Sequence, residues 1–209
     1  MKVNVLGRKI RALRKSKKIT LEEMGDVFGV ADERKKVNEY LAGNYPHFHR
    51  FVLIFFHSGA RLSELMRLKK EDIELGNQRY RLEIRKGKEQ REVFKTIKTI
   101  ALPLWTELFE LAKAGEFIFS TNQLPGKRKI HPSRMTRLWC DLVKKPLGIS
   151  ADLYSLKHLN TGEMVDQLGT ADAARHNSHT NEAMVIGIYD TKKGEREHQR
   201  IKEVNNPFA

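Results

Sequence analysis

The sequence predicts an α+β fold, in which a mostly helical domain carries one small antiparallel sheet. Apolar residues recur at helical spacing along most of the chain, whereas the segment 79–97 shows strand-like alternation. The chain has 209 residues, of which 40% are hydrophobic, so one substantial core is expected. We expect this domain to cover residues 33–209, with a charged tail over 190–209, and to follow a basic helical arm over 1–32.

The first part of the domain is predicted to be helical. Val37 and Leu41 share one face of a first helix, and a second, strongly apolar helix is broken by Gly59. Leu62 and Leu65 recur at core spacing in a third helix. The predicted bounds of these helices are 33–41, 48–56 and 61–70.

The alternating segment predicts a hairpin. Tyr80, Leu82 and Ile84 would point to one side of the first strand, and the charged residues between them to the other. Gly87 makes the turn, which places Lys86 at or near the tip of the hairpin. The second strand is predicted over 92–97, and a short third strand over 100–102.

The second half of the chain returns to helical spacing. Pro103 is a favourable residue for the first turn of a helix. A polar loop rich in Pro and Gly follows Phe119 and separates this helix from the rest. The predicted helices cover 103–115, 133–144, 155–168, 171–175 and 179–189.

The composition favours a polyanionic partner. The chain has 39 Lys+Arg against 26 Asp+Glu and a formal net charge of +13, and neutralised phosphates release condensed counterions. No apolar run approaches the ~20 residues of a membrane-spanning helix. Cys140 is the single cysteine, which excludes an intrachain disulfide and a Cys-rich zinc site. We therefore expect no metal or other cofactor, no membrane contact, and a cytoplasmic, nucleoid location.

The amino-terminal segment is basic and helical in pattern. It reads VLGRKIRALRKSKKITLEEMGDVFGV, which is similar to the first helices of a repressor-type helix-turn-helix. A short basic arm or helical hairpin and a fuller repressor-like domain are both compatible with it. In either case cationic side chains are expected to contact DNA phosphates. They are Arg8, Lys9, Arg11, Arg14 and Lys15.

Five motifs in order resemble those of the tyrosine recombinases, or phage-type integrases. FFHSGARLSELMRLKKEDIEL is similar to their first-arginine box, and RLEIRKGKEQREV to their hairpin-lysine segment. FIFSTNQLPGKRKIHPSRMTRLWCDLVKKPLGI is similar to the connection that follows. DLYSLKHL stands in the place of the box HDLRH, and SHTNEAMVIGIYD resembles the box that ends in tyrosine. The resemblance implies that 33–209 is a catalytic domain that cuts and rejoins DNA strands.

The resemblance also implies roles for individual residues. Tyr189 would be the nucleophile, which forms a covalent 3′-phosphotyrosyl link without metal or ATP. Arg61 would bind two phosphate oxygens through its fork of donors. Lys86 would protonate the leaving 5′-oxygen, with Lys88 as the alternative. His179 would hydrogen-bond the phosphate or move a proton, with His176 as the alternative.

The sequence departs from the family pattern within its penultimate box, at residues 154–158. Tyr154 stands where the family has a histidine, and Lys157 where it has a second arginine. Tyr154 still offers a hydrogen-bond donor. Lys157 keeps a positive charge but loses the bidentate fork, so weaker stabilisation of the transition state is expected.

The implied partner is double-stranded DNA at a specific site. The protein would act there as a homotetramer and be a monomer or weak oligomer in solution. We also expect Lys88 and Arg134 to bind DNA. The alternatives are a DNA-binding protein without chemistry, such as a degenerate recombinase or helix-turn-helix regulator, and a type IB topoisomerase.

Overall fold

The computed structural model describes residues 31–86, 89–178, 182–183, 185–186 and 202. The predicted fold class is confirmed: helices dominate and one three-stranded antiparallel sheet accompanies them. In chain order the helices are α1 (Ala31–Asn44), α2 (Pro46–Ser58), α3 (Leu62–Leu65), α4 (Leu102–Leu111), α5 (Pro132–Trp139), α6 (Lys145–Leu147), α7 (Ser155–Leu168) and α8 (Thr170–His176). The strands are β1 (Ile73–Glu74), β2 (Arg79–Lys86) and β3 (Glu89–Thr96). One π-helical turn, Cys140–Lys144, joins α5 to α6.

The sheet follows the order β1-β2-β3, and its hairpin has the predicted alternation. Tyr80, Leu82 and Ile84 are buried. In β3 the register pairs Tyr80 with Lys95 and Arg81 with Phe94. Lys95 is therefore on the buried face, while Phe94 faces outwards and is exposed.

The prediction of a strand over 100–102 is wrong. Those residues lie in the 3-10 turn Thr99–Ala101 and at the start of α4. The amide of Ala101 donates to the carbonyl of Lys98 at 2.8 Å, and proline in the first turn favours helix. The third strand is instead β1, whose Ile73 pairs with Tyr80.

The helix predicted over 61–70 covers only Leu62–Leu65, because the backbone that follows pairs with a distant segment of the chain instead. The amide of Leu68 donates to the carbonyl of Leu65 at 3.1 Å, in a tight turn. The Leu68 carbonyl then accepts from the amide of Ile118 at 2.9 Å, and Lys69 forms a bridge with Phe117. Leu68 is buried nonetheless, so its apolar character reflects the core rather than a longer helix.

The core is built around α2. Phe48, Phe51 and Phe55 of this helix are buried, and the ring of Phe51 meets that of Phe119 edge-on at 5.2 Å. Such aromatic packing is worth more than its buried area alone. A second, smaller cluster joins α7 to α8 and contains Met164, Val165, Ala173, Ala174 and Val185. Helix α2 also packs against α7.

Helix α7 has the predicted bounds, 155–168, and α8 is one residue longer at each end than predicted. The predicted arm over 1–32 lies almost entirely outside the described residues, as does most of the predicted helix over 179–189. Within the described part of the chain, no helix combines the length and apolar character needed to cross a membrane.

Candidate functional site

The site is organised by a turn at the end of α2. Gly59 follows the helix in the left-handed region, with φ of 60°, which favours glycine. The hydroxyl of Ser58 donates to the carbonyl of Phe55 at 3.0 Å and accepts from the amide of Ala60 at 3.1 Å. Arg61 comes directly after this turn and caps the start of α3. The turn therefore sets where Arg61 lies.

Three buried donors bind the carbonyls of Ser58, the last residue of α2, and of Gly59, which follows it. The Tyr80 hydroxyl donates to the carbonyl of Ser58 at 2.8 Å. The ammonium of Lys95 donates to the Gly59 carbonyl at 3.2 Å, and the ammonium of Lys157 donates to the same oxygen. Cations are favourable at a helix carboxyl end, where the carbonyls lack partners within the helix. The turn before Arg61 is thus held by both the sheet and α7.

Arg61 is positioned by its own helix. Its Nη1 donates to Glu64 Oε1 at 2.7 Å, and its amide donates to Glu64 Oε2 at 2.6 Å. Glu64 is 4% exposed, whereas the Arg61 side chain is 45% exposed. A guanidinium carries five N–H donors, so this contact leaves others for a ligand. Glu64 orients the guanidinium, and Arg61 remains accessible from solvent.

Lys157 is held inside the protein. The residue is 8% exposed, and its ammonium also donates to Asn177 Oδ1 at 2.8 Å. The side-chain amide nitrogen Nδ2 of Asn177 donates in turn to Thr161 Oγ1 at 2.9 Å. Burial is the main cause that lowers the pKa of Lys157 to about 8; Glu64 opposes this shift and Arg61 adds to it. Lys157 thus supplies charge from beneath the surface rather than an exposed hydrogen-bonding group.

His176 packs directly on the turn at Gly59. A Cβ placed on Gly59 would lie 2.5 Å from His176 Cδ2 and 2.6 Å from Nε2. Burial, together with the nearby ammonium of Lys95, lowers the pKa of His176 to about 3. The ring is therefore neutral at physiological pH. Its Nε2 is buried and has no hydrogen-bond partner among the described residues.

Tyr154 lies at the surface beside these groups. It is 40% exposed, and its ring packs against Phe55 and His158 at centroid distances of 6.3 and 5.5 Å. Partial burial raises the pKa of Tyr154, while Arg61 opposes this shift. The phenol therefore stays protonated at neutral pH and can donate a hydrogen bond to an anion bound at Arg61.

Of the predicted site residues, the structure brings Arg61, Tyr154 and Lys157 together beside the turn at Gly59. Lys86 ends β2, and Arg134 is exposed on α5. The other predicted residues lie outside the described part of the chain and remain predictions: Arg8, Lys9, Arg11, Arg14, Lys15, Lys88, His179 and Tyr189. The described residues contain no group of His, Cys, Asp and Glu side chains that could hold a metal ion.

Sequence reasoning missed Lys95 and Asn177. The signal for Lys95 was the alternation of Val93, Lys95 and Ile97, which puts the lysine on the same side as two β-branched apolar residues. Asn177 had no comparable signal, because its role depends on the ammonium of Lys157, twenty residues away in the sequence.

The buried lysines predict that stability rises with pH. Burial lowers the pKa of Lys95 to about 7 and that of Lys157 to about 8, below the ordinary 10.5. Between about pH 7 and 10 the folded protein therefore binds fewer protons than the unfolded chain, and its free energy of unfolding increases. We expect a rise of roughly 1 kcal/mol per pH unit for each lysine.

Urea unfolding of the wild type and of Lys95→Met from pH 6.5 to 9.5 checks this prediction. The difference between the two proteins reports Lys95 together with its coupling to Lys157 and His176, because the other ionisations that they share cancel. A difference that stays constant with pH would contradict the lowered pKa of Lys95.

Comparison with solved structures identifies the fold. The chain is similar to XerA recombinase, with a TM-score of 0.62, 19% identity, and coverage of 85% of this chain and 65% of that one. It is also similar to a lambda integrase (75–356) dimer bound to a COC′ core site, with a TM-score of 0.58, 17% identity, and coverage of 77% and 58%.

A third match is the Tn1549 transposon integrase in complex with circular intermediate DNA, with a TM-score of 0.56, 15% identity, and coverage of 81% and 66%. The chain thus spans less than two thirds of each of these three proteins. No protein-family model and no curated protein matches the sequence. The resemblance seen in the motifs is confirmed at the level of architecture: the chain has the fold of the tyrosine recombinase catalytic domain.

Proposed function

We propose that this protein is a site-specific DNA recombinase, or integrase, that cuts and rejoins strands through a covalent 3′-phosphotyrosyl intermediate. One observation carries the proposal: Arg61, Tyr154 and Lys157 meet beside one turn, and the motif resemblance implies phosphate-binding roles for them. The formal net charge of +13 supports a DNA partner. The fold neighbours include integrases bound to a core site, to circular intermediate DNA and to a Holliday junction.

In this mechanism the scissile phosphate binds at Arg61. The guanidinium and the Tyr154 hydroxyl donate hydrogen bonds to non-bridging oxygens, and the buried charge of Lys157 adds to the positive potential. Burial keeps this potential strong, because water screens it less than at the surface. These groups stabilise the charge that develops when the phosphorus becomes five-coordinate.

Tyr189 is the proposed nucleophile. Its oxygen forms a bond to phosphorus and passes its proton to His179 or to water, while the bond from phosphorus to the 5′-oxygen breaks and that oxygen takes up a proton. Lys86 is the proposed proton donor, with Lys88 as the alternative. His179 or His176 would assist at the phosphate. A 5′-hydroxyl of another strand reverses the step, since the phosphotyrosyl link keeps the bond energy.

The proposed assembly is a homotetramer on two paired DNA sites. One fold neighbour is a lambda integrase tetramer bound to a Holliday junction. Two paired sites present four strands for cleavage, so one protomer for each strand is the natural arrangement.

A second candidate function is DNA binding without cleavage. The observation that favours it is the buried state of Lys157, whose ammonium donates to Gly59 and Asn177. A second arginine of the family pattern would offer a fork of donors to the phosphate, and a buried ammonium does not. Covalent trapping on DNA distinguishes recombination from DNA binding alone.

The test is covalent trapping on DNA. Wild-type protein is incubated with a pool of nicked duplexes whose central segment is randomised, and products are separated under denaturing conditions. We expect a protein–DNA product that resists denaturation, forms equally in EDTA, and carries the protein on the 3′-phosphate. Sequencing the trapped DNA would then identify the target site. A mobility shift without any covalent product would refute the recombinase proposal and favour the second candidate.

A further inference from the structure

Lys95 is a buried cation that the proposed mechanism does not use. Its residue is 3% exposed, although lysine is almost never fully buried without partners. It stands on the core face of β3, opposite Tyr80, in a position that an apolar residue would fill without any cost of burying charge. Its partners give a reason for a lysine at this position.

The ammonium of Lys95 joins two segments that are distant in the sequence. It donates to the Gly59 carbonyl at 3.2 Å and to the carbonyl of His176 at the end of α8. Gly59 lies two residues before Arg61, and His176 lies three residues before His179. The side chain therefore spans the turn that sets Arg61 and the helix end that leads into the last motif.

The hairpin contributes a second contact to the same helix end. Nη2 of Arg91, which precedes Lys95 in β3, donates to the carbonyl of Ser178 at 2.8 Å. β3 also pairs with β2, which ends at Lys86. The segments that carry Arg61, Lys86 and the histidine motif are thus all tied to β3.

We propose that Lys95 is a positioning residue of the strand-cleavage site, whose ammonium holds the Arg61 turn and the end of α8 in register. This inference rests on the proposed function. Lys95 does not contact the reacting atoms in this role. It acts through Gly59 and His176, and it lets the hairpin and the two helix ends move as one unit.

The electrostatic surroundings make this role depend on pH. Burial, together with the neighbouring ammonium of Lys157, lowers the pKa of Lys95 to about 7. A bound phosphate would oppose this shift, because an anion favours the ammonium form. Among the residues that the structure describes, the charged and titratable groups facing Lys95 are Lys157 on α7, Glu64 on α3, Arg61 before α3, Arg91 on β3, Tyr80 on β2 and His176 on α8.

The sign of the dependence follows from these groups. Below about pH 7 the ammonium is intact and both carbonyls receive a charged donor, which bonds more strongly than a neutral amine. Above that pH the charge is lost. The fold as a whole gains stability, because a buried charge is removed, but the two carbonyls then receive only a neutral donor, and the register of the two segments is fixed less tightly. With DNA bound, we expect the transition to lie at a higher pH than in the protein alone.

The test compares Lys95→Met with Lys98→Met, using the trapped DNA sequence as substrate. Lys98 is a matched control, since its half-buried ammonium bonds Asn160 Oδ1 at 2.7 Å rather than the Arg61 turn. We expect Lys95→Met to slow covalent-product formation roughly tenfold to hundredfold, with little change in the concentration that gives half-maximal rate. Lys98→Met should retain a rate close to that of the wild type.

The pH profile separates positioning from general damage. The rates are measured at DNA concentrations well below saturation, where they report the titration of the DNA-free protein. We expect the ratio of wild-type to Lys95→Met rates to be largest below about pH 7 and to fall as the pH increases. A third variant, Lys95→Gln, keeps an amide donor without charge, and it provides the same comparison if Lys95→Met fails to fold. We expect its rate relative to the wild type to recover at high pH.

Two results would overturn the inference. Lys95→Met and Lys98→Met with equal rates would show that Lys95 has no special role. A ratio of wild-type to variant rates that stays constant from pH 6 to 9, for whichever Lys95 variant folds, would show that the charge of Lys95 does not position the site. Both leave the proposed function intact, because the wild type still forms the covalent product. A wild type without that product would overturn the proposed function and this inference together.

Discussion

Tyr189→Phe is expected to abolish the covalent protein–DNA product. The phenol oxygen is the atom that would bond to phosphorus, so removing it leaves no covalent route while the rest of the ring stays in place. The loss should be complete within detection, at least about a thousandfold. Denaturing gels of wild type and variant on the same nicked substrate measure it, and mobility shifts should show that DNA binding is retained.

Tyr154→Phe is the matched control for this result. Tyr154 is an exposed tyrosine beside Arg61, so it is a competing nucleophile on position alone. Partial burial raises its pKa, which disfavours the phenolate that attack requires. We expect Tyr154→Phe to lose one hydrogen bond to the phosphate, and so to slow formation of the covalent link without preventing it. If Tyr154→Phe abolished the product and Tyr189→Phe did not, the assignment of the nucleophile would be reversed.

Gly59→Ala is expected to destabilise the protein severely. The new Cβ would lie 2.5 Å from a ring atom of His176 and 2.8 Å from the His176 carbonyl oxygen. The backbone there also has φ of +60°, which disfavours alanine. The left-handed conformation costs about 1 kcal/mol and overpacking about 1–3 kcal/mol. We expect a total loss of about 3 kcal/mol, measured by urea unfolding.

Gly148→Ala separates these two contributions. Gly148 has φ of +70° but no atom within 4 Å of the position of a Cβ. Alanine there should cost only the conformational part, about 1 kcal/mol. Equal losses for Gly59→Ala and Gly148→Ala would show that contact with His176 does not matter.

The fold was largely predictable because its signals are local. The alternation of Tyr80, Leu82 and Ile84 identified the hairpin, and α7 has the bounds that its spacing indicated. The failures arose where distant segments compete with local preference. The helix from Arg61 stops early because backbone groups near Leu68 pair with the segment at Ile118, and no local pattern shows that pairing.

The candidate site was predictable in its residue types more than in their geometry. Motif resemblance placed Arg61, Tyr154 and Lys157 in one site, and the structure brings them together. The motif resemblance did not indicate that Lys157 would be buried, nor that Lys95 and Lys157 would both bind the Gly59 carbonyl. Both depend on the depth of a side chain beneath the surface, which is set by packing of the whole domain rather than by sequence spacing.

The carbonyl of Gly59 has a consequence for how the protein is made. Its two ammonium partners stand 36 and 98 positions further along the chain, and His176 is 81 positions beyond Lys95. Contacts of such sequence separation form late, because long loops must close first. During synthesis Arg61 therefore leaves the ribosome long before α7 and α8 exist. A nascent or truncated chain that ends before α7 lacks the Lys157 contact to this turn, and one that ends before α8 also lacks the His176 carbonyl that Lys95 binds. The order of translation itself therefore delays assembly of the site until the domain is nearly complete.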